Sequence, residues 1–270
     1  MQRRILIIDD HNDLAEALDE VFTHTGHDVR VVEDRRSALA IEDMADYDIV
    51  ITDLDVESFS PAAGQSANGD HCLPDLADQN THSNKHIKAF KICASNFRRD
   101  NFDEEELKNF FATILDYKIR FVDSEEYVRD LHENIEFEFP SAVSLMHIIL
   151  EYLIKRVEKL GVCKPEQNNL YVALDEAFVN AVKHGNKFDV GKLVRVVADI
   201  SSKEARFTIE DQGEGFDINA IPDPLDPANL FKPSGRGVLF IYNIMDEVQY
   251  NDRGNRLTMV KRSECEPVTT

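Results

Sequence analysis

Arg4–Asp10, RILIIDD, is an unbroken apolar run ended by two carboxylates. A short isoleucine-rich run of this kind predicts a strand buried on both faces of a parallel sheet. From Asp13 to Thr25, Leu14, Ala17, Leu18, Val21 and Phe22 recur at helical spacing, and Gly26 stops the pattern. His27–Val32 predicts a second strand, Ser37–Met44 a second helix and Tyr47–Leu54 a third strand. This βαβαβ alternation implies a doubly wound parallel sheet of right-handed units, with its chemistry at the carboxyl ends of the strands. Residues 56–84 interrupt the pattern. They are rich in Ser, Asn, Gly and Pro, lack periodicity and predict an irregular loop. His86–Ser95 then predicts a fourth strand, Phe102–Leu115 a helix with acidic residues in its first turn, Tyr117–Val122 a fifth strand and Ser124–His132 a last helix.

A second domain is predicted over residues 133–263. Ile135–Phe139 predicts its first strand, and Val143–Leu160 a helix with apolar Leu145, Ile148, Ile149, Tyr152, Leu153 and Val157, capped by Gly161. Leu174–Asn186 predicts a further helix. Leu174, Ala177, Phe178 and Ala181 line one side; Glu176 and Asn180 share the other, with His184 a turn later. Lys192–Ile200 and Ala205–Asp211 predict two strands. Phe207, Ile209 and Asp211 have one parity, so Asp211 points inward, where a carboxylate is costly unless paired. Gly213 and Gly215 follow, where a backbone can approach a ligand closely. Phe216–Pro233 is a long loop with four prolines, Ser234–Gly237 opens a helix over Val238–Val248, and Arg256–Lys261 predicts a last strand. Residues 264–270 form a frayed tail.

A length of 270 residues suits these two domains of 1–132 and 133–263, and 43% hydrophobic content is enough for a core in each. The 51 acidic residues outnumber 30 basic ones, for a formal charge of −21, which argues against nucleic acid as a direct partner. There is no membrane-length apolar run and no signal-peptide core, which predicts a cytoplasmic protein without a membrane partner. Cys72, Cys93, Cys163 and Cys265 are scattered without a CxxC pair, which fits a reducing compartment and argues against a zinc site.

The candidate chemistry falls into two groups. In the second domain, a glycine-rich turn leading into a helix offers N–H groups and a positive dipole to phosphate. Taken singly, each piece has an ordinary reading: a solvated helix face, a turn aspartate, a loop. Taken jointly and in order, LDEAFVNAVKHGN (Leu174–Asn186), DQGEG (Asp211–Gly215) and SGRG (Ser234–Gly237) resemble the N, G1 and G2 boxes of the GHKL ATPases, the superfamily of the histidine kinases and gyrase. Within it the chain is most similar to the bacterial anti-sigma-factor serine kinases, over about Asn134 to Arg262. That resemblance implies an α/β sandwich of the histidine-kinase-like ATPase fold, with ATP and Mg²⁺ as cofactors and residues 216–233 as a lid. It implies that Asn180 holds Mg²⁺ and that Asp211 accepts from the adenine amino group. His184, Gly213, Gly215, Ser234, Gly235, Arg236 and Gly237 surround the nucleotide, and Glu176 is the general base. The implied substrate is a serine or threonine on a small antagonist protein, and the implied held partner is a sigma factor. Family members are often dimers, which implies a homodimer here.

In the first domain, Asp9, Asp10 and Asp53 fall at neighbouring strand ends, where they repel unless a divalent cation such as Mg²⁺ sits among them. Strand ends also favour aspartate as a turn residue. The trio resembles the flavodoxin-like response-regulator receiver. That resemblance implies Asp53 as the phospho-acceptor of an upstream histidine kinase, Asp9 and Asp10 as the metal-binding pair, and Ser95 as the switch residue. The receiver's Lys-Pro after the fifth strand is replaced by Val122 and Asp123, which marks the domain as a degenerate receiver. Lys118 and Lys91 are both candidates for the missing charge. Beside the kinase stand a nucleotide-dependent binding switch whose receiver serves only for docking, and a slow ATPase. A sensor histidine kinase fits less well: His132 precedes a strand and His147 sits on an apolar helix.

Overall fold

The computed structural model describes residues 1–55, 72, 86–99, 101–123, 131–164, 169–216 and 236–263. The chain divides into two units, Met1–Phe139 and Pro140–Thr270.

In the first unit, β1 (Arg4–Asp9) lies between β2 (Asp28–Val32) and β3 (Ile49–Asp55) and is parallel to both. The apolar residues of β1 and β3 are buried throughout, as continuous runs require. Helix α1 (Asp13–His24) buries Leu14, Ala15, Leu18 and Phe22. Helix α2 (Arg35–Leu39) starts where the Asp34 carboxylate accepts from the Ser37 N–H.

The expected all-parallel sheet is corrected beyond β3. Strand β4 (His86–Cys93) runs antiparallel to β3, with Val50 opposite Cys93. A parallel neighbour needs a crossover helix, and the sequence between β3 and β4 carries no helical period. Helix α3 (Glu104–Tyr117) then provides such a crossover. Strand β5 (Leu131–Pro140) is accordingly parallel to β4, giving the order β2-β1-β3-β4-β5.

A second correction concerns Tyr117–Val122, expected as a strand. The helix runs on through Tyr117 and widens into a π-turn over Lys118–Val122. No breaker separates the two, and the buried positions Phe111, Ile114, Leu115, Lys118 and Val122 keep helical spacing, whereas Phe121 is 56% exposed. The fifth strand of this unit is instead Leu131–Pro140, whose Phe137 and Phe139 rings pack on Phe111. Of the helix expected at Ser124–His132, Leu131 and His132 belong to β5, and the rest lies outside the described residues.

The second unit is a layer of helices on an antiparallel meander. Strand β6 (Leu193–Ser201) pairs with β7 (Glu204–Asp211) and β7 with β9 (Arg256–Arg262). A short edge strand, β8 (Glu247–Tyr250), completes it. Val194, Val196, Ala198, Ile200, Phe207 and Ile209 alternate inward. They face the buried stripes of α4 (Met146–Lys159) and α5 (Leu170–Val179). Helix α6 (Arg236–Ile244) ends four residues earlier than the pattern suggested, because the Lys261 ammonium donates to the Ile244 carbonyl at 3.0 Å and the chain turns there into β8. Residues 217–235, which include the expected lid, lie outside the described residues.

Candidate functional site

The site of the second unit is built around Asp211, the last residue of β7. The strand parity read from the sequence holds: Asp211 is 8% exposed and faces the same way as Phe207 and Ile209. Burial raises its pKa above the ordinary carboxylate value, although the Gly213 N–H donates to Oδ1 at 2.7 Å and opposes the shift. The carboxylate lies directly against Gly185, where an added Cβ would overlap it. A Cβ on Gly213 would strike both the Gly185 carbonyl and the Asp211 side chain. Only glycine at both positions lets the two backbones close on this carboxylate.

Three side chains hold that arrangement. The Asn255 amide donates to the Asp211 carbonyl at 2.7 Å, and the Asp211 N–H donates to the Asn255 carbonyl at 3.0 Å. Arg253 donates to the Gly213 carbonyl at 2.8 Å. Asn186, 0% exposed, donates to the Ser141 hydroxyl at 2.7 Å and the Leu193 carbonyl at 2.9 Å, and accepts from the Gln212 N–H at 2.9 Å. Asn186, Arg253 and Asn255 were not among the residues singled out from the sequence. Asn186 lay at the end of the expected helix Leu174–Asn186 with no role assigned, and NDRGN over Asn251–Asn255 carries no apolar period to mark it.

Glu176 and Asn180 are both half-buried and share a face, as their four-residue spacing requires. Leu174, Ala177, Phe178 and Ala181 are all buried on the other side. Past Val179 the helix opens into a π-turn over Asn180–Gly185, where each residue advances less around the axis. His184 therefore falls out of the expected row and is exposed. Helix α6 packs on α5 so closely that a Cβ on Gly237 would overlap the Glu176 carboxylate. Gly215 takes φ +79° beside the Arg253 carbonyl. Ser234 and Gly235 lie outside the described residues, as does the Arg236 side chain.

These residues could hold a ligand that carries both an amino group and an anionic group. A buried carboxylate at the end of β7 offers an acceptor to an amino group. Glycine backbones border it on one side, and a helix N-terminus at Arg236 stands across from Glu176 on the other.

In the first unit, Asp9 Oδ2 accepts from the N–H groups of Leu14 and Ala15 in the first turn of α1 at 3.0 and 2.9 Å, and Oδ1 accepts from the His11 N–H at 3.1 Å. Asp10 accepts from the Asp55 N–H at 2.9 Å and contacts the His11 ring at 2.8 Å. Asp53 is 3% exposed, and its Oδ2 takes a 2.6 Å ion pair from the Lys118 ammonium, which is 2% exposed and also lies 3.4 Å from Asp123. Burial raises the Asp53 carboxyl to about 6 in spite of Lys118. Of the two candidate lysines, Lys118 is paired with Asp53 and Lys91 with Glu136 at 2.8 Å. Ser95 packs its hydroxyl on the sulfurs of Cys72 and Cys93, at 3.8 and 3.4 Å. Ligand atoms of Asp9, Asp10 and His11 lie within 4.8 Å of one another, while Asp53 stands outside that group and already carries an ammonium. The trio as placed thus matches a three-carboxylate cation site only in part.

Residues 139–261 match the family model described as Histidine kinase-like ATPase domain. Over 143 residues, half of this chain and 89% of each relative, the chain is 27% identical to proteins named Serine-protein kinase RsbW. They come from Bacillus cereus (strain AH820), Bacillus anthracis and Bacillus thuringiensis (strain Al Hakam). The family match falls on the second unit.

Two stability measurements test these geometries. Asn186→Ala strands the Gln212 N–H and the Leu193 carbonyl, and is expected to cost about 2–4 kcal/mol by urea unfolding. Lys118→Met leaves the Asp53 carboxylate buried and uncompensated, for an expected loss of about 3–5 kcal/mol near neutral pH. The folded-state pKa of Asp53 is raised, so the folded protein is the better proton binder and the carboxyl costs least below its pKa. Lys118 lowers that pKa, so the variant carboxyl takes up its proton at higher pH than the wild type; the Lys118→Met loss should therefore shrink as pH falls towards about 6, and a loss constant with pH above 6 would contradict this account.

Proposed function

We propose that this chain is an ATP-dependent protein-serine/threonine kinase of the anti-sigma type, signalling through a small antagonist protein and a held sigma factor. The observation that carries the reading is the closure of Gly185 and Gly213 on the buried Asp211, with Glu176 facing the start of α6. The similarity to serine-protein kinases over the second unit supports it.

In this reading Asp211 accepts a hydrogen bond from the adenine amino group and so sets base identity. Gly213, Gly215, Gly235 and Gly237 let the backbone follow the nucleotide without steric conflict. Ser234 and Arg236 contact phosphate, Arg236 by a charge-assisted bond. Asn180 offers a side-chain oxygen to Mg²⁺. His184 borders the site from the exposed end of the π-turn. Bound ATP with Mg²⁺ supplies the transferable phosphoryl group. Glu176 takes the proton from the attacking serine or threonine hydroxyl, and its closeness to Gly237 at the start of α6 supports that role. Phosphoryl transfer is largely positioning and electrostatics, so few side chains suffice.

The first unit acts in this proposal as a receiver-like regulator through Asp53, with Lys118 supplying the charge that the family places after its fifth strand. Enclosure of Asp53 favours a second reading, in which the unit serves only to dock a partner.

Glu176→Gln is expected to retain ATP binding by calorimetry while lowering labelled phosphoryl transfer to a captured protein by about 10²- to 10⁴-fold. If nucleotide changes what is captured but nothing is ever labelled, the protein is a binding switch. For the first unit, the comparison is kinase rate and partner affinity in Asp53→Ala. A change in either supports regulation through Asp53; unchanged values leave docking as the unit's role.

A further inference from the structure

Cys72 and Cys93 are 21 residues apart in sequence and disulfide-linked, with Cα atoms 5.3 Å apart, a separation that a bridge spans without backbone movement. The spacing gave no hint of this, since neither cysteine belongs to a CxxC pair. Cys93 is the last residue of β4 and is fixed in the ladder opposite Val50. Cys72 comes from the segment between β3 and β4. Both are buried in one cluster with Leu6, Ile8, Val50 and Leu54.

Two features set this pair apart from a permanent staple. First, the unit does not depend on a crosslink for its core: β1 and β3 are already buried along their apolar lengths, unlike the small disulfide-rich domains that lack a sufficient core. Second, the sulfurs are not surrounded by hydrocarbon alone. The Ser95 hydroxyl lies 3.4 Å from one and 3.8 Å from the other, and a Glu138 carboxylate oxygen lies 3.8 Å from the Cys93 sulfur. A permanent disulfide has no proton to exchange and little use for such groups. A sulfur that alternates between S–S and S–H needs a hydroxyl and a proton acceptor within reach.

We propose that Cys72 and Cys93 are a reversible dithiol–disulfide couple, through which an oxidant ties residue 72 covalently to β4 beside Ser95. With a peroxide, two S–H bonds break and one S–S bond forms, and the two protons and two electrons leave in two molecules of water. With a low-molecular-weight disulfide such as oxidised glutathione, a Cys72 or Cys93 thiolate displaces one thiol and the second thiolate displaces the other. A dithiol or glutathione reverses the step with two electrons. The proposal is independent of the nucleotide reading.

The experiment uses the full chain, equilibrated in glutathione buffers from fully reduced to fully oxidised, quenched in acid and blocked with maleimide. Peptide mass spectrometry measures the fraction carrying a Cys72–Cys93 link. Hydrogen exchange follows the amides of Ala89–Cys93, with Cys72→Ser as the control. The linked fraction is expected to rise and fall with the glutathione ratio. Exchange in β4 should be about ten-fold slower in the linked form, with no redox difference in Cys72→Ser. A link absent at every ratio, or one that persists in fully reduced glutathione, overturns the couple; equal exchange in both forms overturns the tie to β4.

Discussion

A carboxylate buried at the end of a β-strand is the constraint from which both sites follow. Taking such a charge from water costs several kcal/mol even after relaxation, so the surroundings must answer it. Asp53 is answered by an ammonium at 2.6 Å, and Asp211 by a backbone N–H at 2.7 Å within two glycine backbones. In each case the pKa is still raised, because desolvation outweighs the compensation. A buried carboxylate left in that condition is a candidate for chemistry or for recognition of a donor.

In both units a helix that widens at its end supplies part of these surroundings. Lys118 is the first residue of a π-turn continuing α3, and Gly185 is the last residue of one continuing α5. Such turns re-aim the chain by one residue's worth of rotation and recur at functional sites. In the first unit the result brings a lysine from a helix end onto a strand-end aspartate. In the second it sets Gly185 against Asp211 at the end of β7 and turns His184 outward.

How much was legible depends on whether a residue acts through its side chain along one element or through contacts far apart in sequence. The inward direction of Asp211 followed from a period of two, and the shared face of Glu176 and Asn180 from a spacing of four. The roles of Asn186, Arg253 and Asn255 were not legible, because each works by hydrogen-bonding backbone groups of another segment. Lys118 and Lys91 were indistinguishable in the sequence for the same reason: the residue that binds each, Asp53 or Glu136, lies tens of residues away.

Hydrophobic periodicity alone determined that β1 and β3 are strands buried on both faces, that α1, α4 and α5 are amphipathic helices, and that β6 and β7 alternate into a core. These are local properties of short windows. Strand direction and membership were decided only in three dimensions. β4 runs antiparallel to β3, Leu131–Pro140 became the fifth strand of the first unit, and Tyr117–Val122 stayed helical because Lys118 and Val122 are buried at helical spacing. A pairing, a disulfide or an ion pair depends on what the rest of the chain brings alongside, and no window of the sequence contains both partners.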